Sequence, residues 1–208
     1  SPSRGLGDVY KRQTAESRSV LAALGVPAEQ IYFLGYPDTG MPYEESFLRR
    51  LYDGCRVSAS RWGRTETWRP DGQDFHFMRS GCHSTYTAAS VLRDLSDVLA
   101  LVNPDTVYVT APGDCHGDHD ALGRFTTQAV AAMENPPALY YYLIHADRTD
   151  IWPERDAERF RLPPMAADHP LLRCAAERRP LPDGFPPAEK YSLIQSYTSQ
   201  AVSYTHLR

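Results

Sequence analysis

A chain of 208 residues with 42% hydrophobic content has the size and composition of one ordinary globular domain. Its net charge of −4 and pI near 6.0 lack the basic excess with which proteins meet nucleic acid. No apolar run approaches the ~20 residues that cross a bilayer, and the four cysteines form no Cys-x-x-Cys pair of the zinc-ribbon or thioredoxin kind.

Residues 15–24 are helix formers that end at Gly25, a residue suited to the left-handed position after a helix, and Pro27 blocks continuation. A short strand is predicted at 31–34, followed by the loop Tyr36-Pro37-Asp38-Thr39-Gly40 and a helix over 44–53 that Gly54 stops. From 55 to 85 the chain turns polar and aromatic, with Trp62, Trp68, His76 and His83, and is long enough for a lid rather than a connector. The clearest helix is 88–102, where Val91, Leu92, Leu95, Val98, Leu99 and Val102 recur along one stripe. Asn103-Pro104 ends it. A short buried-type strand follows at 106–110, then a loop, a helix over 121–133, and a strand over 138–144 that leaves His145 at its carboxyl end. Prolines at 153, 163, 164, 180, 182, 186 and 187, among others, break the remainder into an irregular wrap, and 190–197 closes it as a helix. This alternation of strands and helices predicts an α/β fold with a mainly parallel sheet and helices on both faces.

The most informative stretch is 108–124, which sets two histidines and three carboxylates between a strand and a helix. A strand feeding such a loop places His116, Asp118 and His119 at the carboxyl end of the sheet, the usual ligand crevice of open α/β proteins. Histidines at i and i+3 converge on one side of a turn, imidazole nitrogens bind Zn²⁺ readily, and an aspartate between them can orient one ring. The same residues also suit a plainer arrangement, in which Asp118 or Asp120 caps the helix beginning near Ala121 and both histidines are solvated. Asp114 either supports the loop or makes a turn.

His116-Gly117-Asp118-His119 resembles the His-Pro-Asp-His motif of the PIG-L/LmbE-like, zinc-dependent N-acetylglucosaminyl deacetylases, with Gly117 where proline is commoner. Leu24-Gly25-Val26 and the run from Phe33 to Met41 are similar to that family's "LGV … PDxGM" section. Tyr140-Tyr141-Tyr142-Leu143-Ile144-His145 with Trp152-Pro153, and the stretch 190–200, resemble its later segments in family order. The resemblance implies a Rossmann-like fold, a Zn²⁺ cofactor and hydrolysis of the N-acetyl group of an N-acetylglucosamine-type substrate, free or in a glycoconjugate. It implies His119 as the metal ligand, and His116 as the residue that stabilises the oxyanion and protonates the leaving amine. Asp118 would hold the His116 ring, and Asp38, in a turn that the family brings toward its pocket, either faces the substrate or makes only local hydrogen bonds. From its own position at a strand end, His145 either approaches the substrate or is a structural histidine. The other expectation of this resemblance is a carbohydrate-binding relative without catalysis.

The two ends stand apart from it. Asp8-Val9-Tyr10-Lys11-Arg12-Gln13 can be back-translated so that the reverse complement, read in a shifted frame, begins Val202-Ser203-Tyr204-Thr205-His206. One oligonucleotide thus encodes both termini, and 3–13 resembles a translated sequencing adapter. The expected organisation is a non-native segment at 1–13, a partial deacetylase domain at 14–201, and a second non-native segment at 202–208. The family's first motif, His-Pro-Asp-Asp-Glu, does not occur in the sequence. By resemblance it carries two metal ligands and the base on the opening strand, so the sheet is expected to lack that strand and the chain to be inactive by itself. The expected compartment is the cytoplasm, and oligomeric state is left open.

Overall fold

The computed structural model describes residues 2–39, 45–54, 59–60, 63–69, 72–145 and 186–198. In chain order these form α1 (Pro2–Ala23), a 3-10 helix (Ala28–Gln30), α2 (Phe47–Tyr52), α3 (Phe75–Ser80), α4 (Ala88–Val102), β1 (Thr106–Thr110), α5 (Gly117–Ala131), β2 (Ala138–Tyr142) and α6 (Pro187–Gln195). The predicted proline-broken wrap up to residue 185, Trp152-Pro153, Gly40, Met41 and the segment 202–208 lie outside the described residues. Two units divide the chain, one of 1–35, 68–82 and 177–208, the other of 36–67 and 83–176. No helix among the described residues is long and apolar enough to cross a membrane.

In the first unit, α1 starts well before the predicted residue 15 and ends as predicted, at Ala23. Gly25 has φ +81°, its N–H donates to Ala22 O and that of Val26 to Leu21 O, which satisfies the last carbonyls of the helix. The strand predicted at 31–34 does not form. Phe33 O accepts from Phe75 N–H and Gly35 O from Trp68 N–H, two single bonds to separate segments rather than a ladder. Gly35 is required there, because at φ +78° a Cβ would stand 2.9 Å from Asp74 Cβ and 3.2 Å from Trp68 N. Asp74 caps α3 by accepting from Phe77 N–H, and Gly81 closes it in the left-handed region. The 55–85 stretch therefore contains a helix where a lid was predicted. Helix α6 begins before the predicted residue 190, with proline in its first turn.

The second unit is built on a β-α-β element. Strands β1 and β2 pair in parallel, with Thr106 opposite Ala138 and Thr110 opposite Tyr142, and α5 connects them. This is an α/β chain of Rossmann-like type with a small parallel sheet. Val107 and Leu139, opposite each other in the register, pack with Leu99 of α4 and with Ala129 and Val130 of α5. A second cluster joins Phe47 and Leu51 of α2 to Tyr86, Val91, Ala121 and Phe125. Helix α4 has the predicted bounds, and Asn103 stops it at φ +45° with its N–H on Leu99 O.

How closely α5 approaches β1 is set by Gly123. A Cβ there would collide with the Thr110 carbonyl oxygen and stand 2.9 Å from Pro112 Cδ. Glycine inside a helix ordinarily costs about 1 kcal/mol relative to alanine, so Gly123→Ala would stabilise an unobstructed helix. Here it is expected to destabilise by about 1–3 kcal/mol, the usual penalty of overpacking, measured as a lower urea midpoint at unchanged m-value.

A polar network crosses the same unit. Tyr36 Oη and Ser84 Oγ each donate to Asp94 Oδ2 at 2.7 Å, while Arg93 Nε and Nη2 donate to Oδ1 at 3.2 and 3.1 Å. Burial, then the charge of Asp94 and its hydrogen bond, push the Tyr36 phenol far above its ordinary range. A folded pKa above the unfolded value of ~10 gives stability that is fully present below pH ~10 and is lost as pH rises further. Tyr36→Phe is expected to cost about 1 kcal/mol near neutrality and to lose less stability than the wild type above pH ~10. Urea unfolding at the two pH values checks this.

Candidate functional site

The histidine loop begins where β1 ends. Ala111 N–H still donates to Tyr142 O, Asp114 N–H turns back to Ala111 O, and Gly113 takes φ +94° between them. Helix α5 then starts at Gly117, earlier than the predicted residue 121, because His116 itself is the N-cap. Neither Asp118 nor Asp120 caps it. The Asp118 N–H donates to His116 Nδ1 at 3.3 Å, so an imidazole does the work that serine or aspartate usually does. That bond needs a lone pair on Nδ1, which leaves the proton of the neutral ring on Nε2. Burial, then the neighbouring His119, lowers the His116 pKa below the ordinary imidazole value against the raising charges of Asp118 and Asp38. At neutral pH His116 is therefore a neutral N–H donor at Nε2.

His119 sits in the first turn of α5, its backbone oxygen accepting from Thr110 Oγ1 at 2.8 Å. Its ring stacks on His116 with centroids 4.3 Å apart and planes inclined by 19°. His145, just beyond β2, completes the stack at 5.4 Å from His119 and 6.0 Å from His116. A metal ion lies in the plane of an imidazole that ligates it. Rings this nearly parallel do not direct two lone pairs at one ion, so His116 and His119 are not arranged to ligate one metal together.

Asp114, 2% exposed, holds the loop to the end of β2. Its Oδ1 accepts from His116 N–H at 2.9 Å, and its Oδ2 accepts from Ile144 and His145 N–H at 3.0 and 3.1 Å. Burial raises its pKa, and the nearby His119 imidazole together with these three N–H groups outweighs it, leaving the carboxyl below its ordinary range. His119 Nδ1 lies 3.4 Å from Asp114 Oδ1. The approach is within coulombic reach but is not aligned as a hydrogen bond, and Nδ1 is buried with no other partner among the described residues.

Asp118 was expected to orient an imidazole with its carboxylate, and it does not. Its Oδ2 accepts from Thr39 N–H and Thr39 Oγ1, both at 2.9 Å, and its Oδ1 from Leu48 N–H at 2.9 Å. Ser46, the N-cap of α2, makes no side-chain cap bond, so Asp118 supplies from α5 the acceptor that the start of α2 lacks. Burial raises its pKa, against the hydrogen bonds from Thr39 and Leu48. Exposed Asp38 brings a carboxylate oxygen to within 4.8 Å of ligand atoms on His116 and Asp118. Asp120 binds Gly113 N–H at 2.6 Å, Arg49 Nη1 at 2.5 Å and Arg124 Nε at 2.9 Å.

Asp38, His116, Asp118, His119 and His145 thus share one locality at the carboxyl ends of β1 and β2. Sequence reading gave no fixed role to Asp114, considered Asp120 only as a helix cap, and missed Thr39 and Arg49. The signal for Asp114 was its position two residues before His116, the spacing of an Asx turn. The donor set, imidazoles beside carboxylates, suits a divalent metal of the zinc class. No curated protein and no solved structure matches the chain. The sequence model of one family, PIG-L, described as GlcNAc-PI de-N-acetylase, matches residues 2–130, a span of more than half the chain that holds the Asp38 turn and the whole histidine loop. The chain therefore belongs to the PIG-L family of de-N-acetylases.

Proposed function

We propose that the protein from which this sequence comes hydrolyses the N-acetyl group of an N-acetylglucosamine-type substrate with the help of zinc. The stacked His116–His119 pair at the carboxyl end of β1 carries this reading, because it sets one imidazole as a hydrogen-bond donor beside another that is free to ligate. His119 would hold Zn²⁺, and Asp38 brings an exposed carboxylate to within 4.8 Å of the neighbouring His116. When bound, the ion supplies Lewis-acid charge at the amide carbonyl and lowers the pKa of a water molecule. His116 donates from Nε2 to the oxyanion as water oxygen adds to the acetyl carbon. The C–N bond then breaks as the proton given up by the attacking water passes to the nitrogen, and acetate and a free amine leave. Asp38 and His145 are the proposed contacts to the sugar.

The 208 residues contain no His-Pro-Asp-Asp-Glu, and a catalytic zinc site takes about three protein ligands. We propose that this chain alone is inactive and gains activity when sequence bearing that motif is joined ahead of it. The test is acetate release from an N-acetylglucosaminyl glycoconjugate by the joined protein, before and after chelation and zinc return. Zinc-dependent release is expected. Sugar binding with no acetate release at saturating zinc would overturn the hydrolase reading in favour of a carbohydrate-binding relative.

A further inference from the structure

We infer that Asp114 is a positioning residue that fixes His119 in the Nδ1–H tautomer, so that the two stacked histidines present opposite chemistry at Nε2: a lone pair on His119 and a proton on His116. The inference rests on the proposed zinc reading for its purpose and on the hydrogen bonds of the loop for its content. An aspartate has about four lone-pair positions. Two on Oδ2 are taken by Ile144 and His145 N–H and one on Oδ1 by His116 N–H. The remaining one is on the oxygen that stands 3.4 Å from His119 Nδ1.

That nitrogen is buried and has no hydrogen-bond partner among the described residues. A lone pair on it would face a carboxylate across 3.4 Å, both groups out of water, whereas an N–H there is attracted. The proton therefore sits on Nδ1 and the lone pair on Nε2. On His116 the order is reversed, because its Nδ1 accepts the Asp118 N–H that starts α5. Two rings 4.3 Å apart and nearly parallel are thus set in opposite tautomers by two unrelated devices, a buried carboxylate and a helix cap. A histidine that ligates metal through Nε2 and gives its Nδ1–H to a carboxylate is the usual means of raising ligand basicity and holding the ring.

The experiment is ¹⁵N NMR of the imidazoles in the full 208-residue chain, at a pH above the ordinary histidine range of ~6.5, followed by Zn²⁺ titration of the same chain joined to sequence bearing the His-Pro-Asp-Asp-Glu motif. His119 is expected to show a protonated Nδ1 and an unprotonated Nε2, and His116 the reverse. Zinc is expected to move the His119 Nε2 signal and to leave its Nδ1 protonated. Asp114→Asn, of the same size, puts an amide in place of one oxygen. It is expected to abolish the Nδ1–H preference of His119, leave the His116 tautomer in place, and raise the zinc concentration needed about 10–100-fold. A wild-type His119 protonated at Nε2 would overturn the inference, and that reading needs no variant to fold. So would an Asp114→Asn protein that is less stable yet keeps both tautomers and its zinc response, since Asp114 would then be structural only. Opposite tautomers that Asp114→Asn abolishes, with no zinc response in either protein, would uphold Asp114 as the positioning residue and overturn the zinc reading.

Discussion

Asp118→Ala is expected to lower folding stability by about 2–4 kcal/mol, although the resemblance assigns this residue to catalysis. The carboxylate accepts the Thr39 and Leu48 N–H groups and the Thr39 hydroxyl. Alanine would leave two half-buried backbone donors unbonded at about 1–3 kcal/mol each. Against a typical domain stability of ~5–15 kcal/mol, this is a large fraction. The pH dependence gives a second readout. Burial raises the Asp118 pKa, so its contribution is greatest below the unfolded value of ~3.9 and falls as pH rises through the folded one. The gap between wild type and Asp118→Ala is therefore expected to widen on acidification. Urea unfolding at two pH values measures it, and a gap that closes at low pH would show that charge, rather than the donors left behind, dominates.

His116→Ala and His119→Ala are expected to fail in different ways in the protein completed with the His-Pro-Asp-Asp-Glu motif. Loss of His116 removes a neutral Nε2–H donor from the oxyanion. A donor of this kind is worth about 10²–10³-fold in turnover, while zinc stoichiometry should hold. His119→Ala should lose the metal, and turnover with it. Because His116 also caps α5, its alanine variant should in addition lose about 1 kcal/mol of stability. That part is recoverable with His116→Asn, which restores a cap but not the imidazole. If His116→Ala loses zinc while His119→Ala keeps it, the two roles are exchanged, and the grouping of His116 with Asp38 and Asp118 becomes the metal site.

The elements that could be read from sequence were those whose signals are local. Helix α4 carries its own apolar stripe and its own stop at Asn103-Pro104, and β1 lies between that stop and a glycine turn, so both have the predicted bounds. The start of α5 was placed too late because His116 is an uncommon cap and the aspartates after it are common ones. Segment 31–34 has strand composition but finds no ladder partner, and composition does not reveal partners. The locality of His116 and His119 was legible because both lie within one turn of a strand end. The bonds that fix the site were not. Asp118 reaches Thr39 across 79 residues and Leu48 across 70, and Asp114 reaches Ile144 across 30.

That last span also sets when the site comes into being. Asp114 lines up its oxygens only when the N–H groups of Ile144 and His145 are beside it, and these arrive with β2. A parallel pair cannot zip from a hairpin. It must wait for the crossover helix between its strands to form and pack, and such non-local closures are the slow steps of folding. Until then His116 and His119, which share one loop, lack the third imidazole that β2 brings, and Asp114 is not yet held beside the His119 ring. The alignment of that ring is consequently a marker that the parallel pair has closed.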